Sequence, residues 1–433
     1  MAREYDVVIL GGGVAGYYCA KALRKEGKSV AIIERDSLGG TAIRWGAVPV
    51  KRALDFFKEN KGNIEELLNR WQDDLAELGR RTKSSLSSIG VDVYYGEGEL
   101  VDSHAVKVGG SILTSGYIII ATGTEAISID GIPVDREWII THREAVELKD
   151  IPKSLVILGG NVEGIEFASL YSQLGVNVTV IEKENSILPG YDGDLAYPIE
   201  KKLMDKGVKI VKGKSAIKAY VENSNVKVIL DDESIMEGEK VLVTLLRKPN
   251  FPKGIERLNI RYSESKILVD SNLKTSVDNI FAIGDINGIM GLGNVAINQG
   301  LQVAEYILNG RSISMNYESL PRAVFTLPEI AGIGRQEEDL RGVSYKVGYC
   351  NFKDTWRGWS RDLDEGFVKV IVDEGQNVLG IWMVGNMVSE YIGMISPLFN
   401  NNLTLDHIKS NLIIHPTLTE SILEAVLNIN NGR

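Results

Sequence analysis

Two cysteines in 433 residues leave little room for sulfur chemistry. Cys19 and Cys350 lie far apart and form no CxxC or CxxxxC spacing, so neither a disulfide framework nor a metal site is indicated. Histidine is nearly as scarce. His104, His142, His407 and His415 are too scattered to suggest a metal cluster, and no metal is expected. Basic charge is also in deficit: 48 Lys and Arg against 58 Asp and Glu give a net charge of -10. That balance excludes broad nucleic-acid binding, which needs basic surface. Long apolar runs are missing too. The longest, such as residues 117–121, are strand-sized and far short of the ~20 residues that cross a bilayer, so no membrane span is expected. The first strand begins almost at once, which leaves no room for a signal peptide. A soluble cytoplasmic protein is the default expectation. Hydrophobic content of 44% and charged content of 24% suit a globular chain, and the length implies several domains.

What is present is glycine in a repeated layout. A strand at residues 5–10 runs into Gly11, Gly13 and Gly16, then a helix, then a strand ending at Glu34. A second strand at residues 154–158 runs into Gly159, Asn161 and Gly164, then a helix, then a strand ending at Glu182. The two sets stand 148 positions apart, element for element. In such a unit the first glycine makes the strand-to-helix turn and the second lets the backbone approach a pyrophosphate. The third lets helix and strand pack closely, the helix N-terminus meets the phosphate, and the acid receives a ribose. Two such units in one chain point to an enzyme that passes electrons between two nucleotide cofactors.

Between and beyond these units the pattern changes. Residues 51–89 read as two helices, and residues 91–121 as a small sheet ending in a turn at Ala121-Thr122-Gly123. Phe281-Ala282-Ile283 reads as a buried strand leading into Gly284-Asp285. From about residue 314 longer strands and helices indicate a separate α+β domain. Asp285 admits two readings from the residues alone. It is a helix cap, or a carboxylate placed to accept hydrogen bonds from a cofactor's hydroxyls.

These pieces, in this order, resemble the pyridine nucleotide–disulfide oxidoreductases, and most closely the dihydrolipoamide dehydrogenases. Further markers are Gly39-Gly40-Thr41, Phe325-Thr326-Leu327-Pro328-Glu329, Gly366-Phe367-Val368-Lys369 and His415-Pro416-Thr417-Leu418-Thr419-Glu420. The resemblance implies an α/β fold with two Rossmann-like nucleotide-binding domains and a C-terminal α+β interface (dimerisation) domain. An FAD domain would comprise 1–147 and 276–313, an NAD(P)-binding-like domain 148–275, and the interface domain 314–433. FAD would lie against Gly11, Gly13, Gly16, Gly40, Thr41, Ala121, Thr122, Gly123 and Gly284, with Glu34 on the adenosine ribose and Asp285 on the ribityl chain. Lys51 and Glu166 match the family's ion pair beside flavin N5. Gly159, Gly164 and Glu182 would serve NAD(H), Glu182 favouring NAD over NADP. His415 and Glu420 match the acid–base dyad that acts across a homodimer interface.

The resemblance breaks at three places. The family's two redox cysteines, four residues apart, are replaced by Ala42 and Ala47. Thiol–disulfide exchange needs a thiolate attacking a sulfur, and alanine offers neither. Ile43-Arg44 also departs from the usual Leu-Asn, which favours natural loss over two engineered mutations of a dihydrolipoamide dehydrogenase. Asn161 replaces the middle glycine of the second unit, with Glu163 beside it. Leu246 replaces the glycine of the later Gly-Arg-x-Pro-Asn. These changes leave NAD(H) binding open. The expected function is a flavoprotein oxidoreductase that passes electrons from NAD(P)H to a small-molecule, non-thiol acceptor, with Trp45 lining the space the sulfurs leave. The alternative is a degenerate FAD-binding scaffold or partner of a lipoyl-bearing complex.

Overall fold

Valine and isoleucine fill both faces of the first strand, Arg3–Leu10, which is what a parallel strand covered on both sides requires. It lies at the centre of a seven-stranded sheet. Val30–Glu34 and Asp92–Tyr95 extend the sheet in parallel on one side. On the other side runs Ser111–Ile120, which pairs in parallel along the whole central strand. One half of that long strand carries the antiparallel pair Ala105–Val108 and Gly98–Asp102, and the other half takes Ile280–Ala282 in parallel. The structure is a computed structural model that describes residues 3–59, 63–149, 151–312 and 315–429. The chain ends and the boundary expected at 313/314 lie outside the described residues.

Helix Val14–Lys25 packs on helix Gly293–Asn309 through small residues. A Cβ at Gly300 would stand 2.4 Å from the Ala15 carbonyl oxygen and 3.2 Å from the Cys19 amide. Cys19 is fully buried in this contact, so its thiol fills core space.

The second sheet runs Lys209–Lys212, Asn177–Glu182, Ser154–Leu158, Lys240–Val243 and Ile139–Ile140, all parallel. A three-stranded antiparallel sheet, Ala216–Glu222, Asn225–Leu230 and Ile235–Gly238, shares its core. The expected domain limits of 148 and 275 shift in the structure. Strand Ile139–Ile140 pairs with Lys240–Val243 of the second sheet, and Ile139 and the buried Ile132 belong to the second core. Ile255, Ile260 and Ile267 belong instead to the core around Leu100 and Val106 of the first domain. Short apolar stretches carry no periodicity of their own, and the sheet edge they meet decides which core takes them.

The third domain is an antiparallel sheet in the order Arg322–Val324, Glu329–Gly334, Val378–Gly385, Phe367–Val372, Lys346–Asn351. Helices Val388–Phe399, Leu405–Ser410 and Glu420–Leu427 contribute to its core. No helix among the described residues is long and apolar enough to cross a membrane.

Candidate functional site

The first glycine turn depends on contacts that side chains would forbid. Gly11 has φ +106°, and a Cβ there would come within 2.3 Å of the Ala121 carbonyl oxygen. A Cβ at Gly16 would stand 2.1 Å from the Gly11 carbonyl oxygen, so Gly16 serves packing. Gly13 is different. The nearest atom its Cβ would meet is the Gly40 Cα at 3.8 Å, so this position opens onto free space. Glu34 ties the turn from behind. Its Oε2 accepts from the Gly12 amide and its Oε1 from the Asp36 amide, each at 2.8 Å. Burial raises the Glu34 pKa, while those two amides oppose the rise.

Gly11, Gly13 and Glu34 line one end of a cavity of about 600 Å³, within the range of about 300–1,000 Å³ usual for ligand sites. Its wall continues through Gly40, Thr41, Ala42, Trp45 and Ala47. Ala121, Thr122, Gly123, Gly284 and Asp285 also line it, with Ala121 and Thr122 directly beside Gly11. Asp285 Oδ2 accepts from Thr124 Oγ1 at 3.4 Å. Burial raises the Asp285 pKa, and Arg247 opposes it. Thr122 Oγ1 is fully enclosed and has no hydrogen-bond partner. A side-chain-free turn at a helix N-terminus, an unpartnered hydroxyl and a buried carboxylate in one cavity fit a dinucleotide with polar hydroxyls.

The second turn has the same backbone and a different face. Gly159 again has φ +106°, and a Cβ at Gly164 would meet the Gly159 carbonyl oxygen at 1.9 Å. Glu182 repeats Glu34, accepting from the Gly160 amide at 2.6 Å and the Glu184 amide at 2.8 Å. Asn161, however, caps helix Val162–Gln173 with its own side chain. Its Oδ1 accepts from the Gly164 amide at 3.0 Å, and its Nδ2 donates to the Thr244 carbonyl oxygen at 2.5 Å. The Asn161 side chain takes up part of the space that is left open at Gly13, so a pyrophosphate has less room and one fewer free amide at this turn. Gly159, Gly164 and Glu182 stand outside the cavity wall, whereas Val162, Glu163 and Glu166 line it.

The expected Lys51–Glu166 ion pair is not formed. Lys51 Nζ donates to Glu329 Oε1 at 2.6 Å, stands 3.9 Å from Asp55 and lies 5.1 Å from the Phe325 ring centre. Glu329 Oε2 also accepts from the Ser389 hydroxyl at 2.8 Å and the Ser389 amide at 3.2 Å. Glu166 is half-buried in the cavity wall, and burial lifts its pKa to about 8, with the Glu163 carboxylate adding to the rise. Its Oε1 accepts from the Phe325 amide at 2.8 Å. Nothing in the spacing of Lys51 and Glu329 could have revealed this contact, which the third domain brings in.

His415 and Glu420 are brought together, but on the third domain and away from the cavity wall. His415 Nδ1 is 2.7 Å from Glu420 Oε1, and Glu420 Oε2 accepts from the Thr417 amide at 2.7 Å. Partial burial acts to raise the Glu420 pKa, but the Thr417 amide and His415 outweigh it and hold the group below its ordinary value. The His415 side chain is 62% exposed. Both cysteines are buried and free, and neither reaches the cavity. Burial pushes the Cys19 thiol far up and Cys350 up to about 12, so neither offers a thiolate at neutral pH.

Residues 5–300 match the profile of the pyridine nucleotide-disulphide oxidoreductases, and residues 320–426 match the dimerisation domain of that family. The chain belongs to the pyridine nucleotide-disulphide oxidoreductase family. Among its relatives, the dihydrolipoyl dehydrogenase of Chlamydia pneumoniae is 32% identical, with 100% of this chain and 98% of that protein covered. One from Bacillus subtilis is 30% identical, with 98% of each covered. Among solved structures, LpdA from Mycobacterium tuberculosis superposes with a TM-score of 0.90 at 28% identity, covering 98% of this chain and 99% of that one. The HOCl-induced flavoprotein disulfide reductase RclA from Escherichia coli also gives 0.90, at 26% identity and with the same coverage. The pyridine nucleotide-disulphide oxidoreductases are FAD-dependent and use NAD(H) as their pyridine nucleotide, and the first turn and its cavity fit that flavin.

Proposed function

We propose that this chain is an FAD-dependent oxidoreductase, similar to dihydrolipoyl dehydrogenase, that passes electrons from NAD(P)H to a small non-thiol acceptor. The observation that carries this reading is the cavity wall at Ala42 and Ala47. The family's cysteines fall at those positions, and both are methyl groups here. Thiol exchange has no sulfur to use at that place. The vacated volume, bounded by Trp45, suits a flat acceptor such as a quinone.

The residues have distinct tasks in this reading. Gly11 and Gly13 admit the pyrophosphate of FAD, and Glu34 keeps the turn in shape while its remaining lone pairs face the ribose. Asp285 and Thr122 meet the ribityl hydroxyls. Bound FAD supplies a two-electron relay between nicotinamide and acceptor. Lys51, with Glu329, places a cation at the cavity edge, which favours an anionic reduced cofactor. The molecule works as a homodimer, with His415 of the partner subunit facing each cavity.

Anaerobic addition of NADH or NADPH to the holoprotein should bleach the flavin absorbance, and a quinone should restore it, whereas lipoamide should not. If neither nicotinamide bleaches the flavin, the reading fails. A second reading, a flavin-holding partner of a lipoyl-bearing complex without turnover, is favoured by the Asn161 cap. It requires a flavin that stays oxidised under the same additions. Replacing Ala42 and Ala47 with cysteine separates both readings from an engineered dehydrogenase, because only that case regains full lipoamide activity.

A further inference from the structure

One fully buried side chain ties together separate parts of the cavity's frame. Gln299 lies on helix Gly293–Asn309, one turn beyond Ala296, which lines the cavity. Its Oε1 accepts from the Gly284 amide at 2.7 Å and from Asn287 Nδ2 at 2.8 Å. Its Nε2 donates to the Tyr317 hydroxyl at 3.2 Å. A backbone amide can only donate, so the oxygen of Gln299 must face Gly284 and its nitrogen must face Tyr317. Asn287 is also buried and donates to the Ala282 carbonyl oxygen at 3.1 Å. Gln299 thus closes the tight turn Gly284–Asn287 from behind. Gly284 and Asp285 line the cavity, and Gln299 does not.

The turn needs that support. Gly284 has φ +74° and opens the turn, so its amide finds no acceptor within it. The Asp285 carboxylate has one side-chain hydrogen bond among the described residues, from Thr124 Oγ1 at the long distance of 3.4 Å. Its position therefore comes from the backbone that carries it. Helix Gly293–Asn309 is itself fixed against helix Val14–Lys25, where Gly300, next to Gln299, meets Ala15 and Cys19. Helix Val14–Lys25 begins at the first glycine turn. A continuous path of contacts thus runs from Gly13 through the two helices to Gln299, Gly284 and Asp285. It sets the distance between the turn that suits a diphosphate and the carboxylate that suits ribityl hydroxyls.

We propose that Gln299 is a positioning residue for FAD, which holds Asp285 at the distance from the first glycine turn that one FAD molecule spans. This role needs FAD in the cavity and does not depend on which acceptor takes the electrons. Without the Gln299 oxygen, the Gly284 amide is left buried and unpaired. The turn then relaxes towards another partner or water and carries Asp285 with it. A ligand that touches one end of the cavity is indifferent to that shift. A ligand that spans both ends loses the benefit of a site already in register.

The test titrates the apoprotein of the full chain with FAD, read by flavin fluorescence, and with ADP, read by calorimetry. Gln299→Met keeps the length of the side chain and removes the acceptor. It should weaken FAD about tenfold, the scale of one lost buried hydrogen bond. ADP meets only the glycine-turn end, so its affinity should stay within about twofold of wild type. Gln299→Glu keeps an oxygen towards Gly284 and Asn287, and the Tyr317 hydroxyl can donate to its other oxygen. It should hold FAD affinity within about threefold of wild type. In an Asp285→Ala background, where no carboxylate is left to misplace, Gln299→Met should cost little more. Equal losses of FAD and ADP affinity would overturn the inference, because they report a loosened domain. Unchanged FAD affinity in Gln299→Met, or fully additive losses with Asp285→Ala, would overturn it as well. If Gln299→Met fails to fold, Tyr317→Phe serves. It frees the Gln299 amide to turn, so it should weaken FAD about threefold and spare ADP, and unchanged FAD affinity there counts against the role. No arm requires turnover, so a failure of the non-thiol reading shows separately, in flavin reduction.

Discussion

Gly13 and Asn161 hold the same backbone, φ near -70° and ψ near 180°, at the head of equivalent helices. At Gly13 no side chain caps the helix, and its N-terminal amides face the cavity. At Asn161 the amide side chain takes the Gly164 N–H and part of the volume a phosphate would need. Asn161→Gly should therefore strengthen NADH binding about five- to tenfold, the worth of one returned hydrogen bond. The unfolding midpoint should hardly change, because glycine replaces asparagine at an N-cap at a cost of only a few tenths of a kcal/mol. Titration calorimetry with NADH checks this, and unaltered affinity would mean that Asn161 is not the obstacle. The asparagine was legible in the sequence as a departure from a spaced glycine, since the spacing itself names the atom that must be missing. Glu163 was legible only as an unfavourable charge. Its contact with His142 was not, because a lone histidine carries no local pattern and its burial comes from elements far along the chain.

At the scale of elements, the two βαβ units and the helices after residue 47 followed from apolar runs and glycine placement. The joints between domains did not. Ile139–Ile140 is a two-residue strand, too short for any periodicity, and Lys51 reaches Glu329 across 278 positions. One joint is held by charge. Lys369, on strand Phe367–Val372, is fully buried and donates to Asp192 and Asp194 at 2.7 Å and to Glu337 at 3.2 Å. The three carboxylates converge as metal ligands might, but an ammonium occupies their centre. It links the second domain, through Asp192 and Asp194, to the third. Lys369→Met leaves three acids facing one another and should destabilise the protein by about 3–5 kcal/mol, as when one partner of a buried pair is removed. The effect depends on pH. Burial acts to raise the Asp192 pKa, but Lys369 and two amides outweigh it and keep it depressed. In wild type its stabilisation is full above the unfolded carboxylate pKa, about 4, and is lost as pH falls through the lower folded value. In the variant, protonation relieves the repulsion. The gap between the two melting temperatures should thus narrow as pH drops from 7 towards 4. A gap independent of pH would mean that Lys369 acts through packing alone.

For the whole molecule, the role proposed for the dyad requires two chains to meet. His415 is exposed, and so are its neighbours Leu412 and Ile414, at 97% and 80%, with Met394 at 79% on the same domain. Exposed apolar groups this large are costly to leave in water, about 1.5–3 kcal/mol for each side chain that could be buried. They belong to the segment that matches the family's dimerisation domain. Leu412→Asp combined with Ile414→Asp would place two carboxylates in that contact, where burying an unpaired charge costs several kcal/mol. Sedimentation at micromolar concentration should then shift from dimer to monomer, a loss of at least about 10²-fold in association. The first glycine turn lies in another domain with its own core, so FAD content should stay at one per chain in the monomer. Turnover should fall if His415 of the partner subunit acts at the cavity, and should persist if it does not. A double variant that still sediments as a dimer would place the interface elsewhere on the third domain.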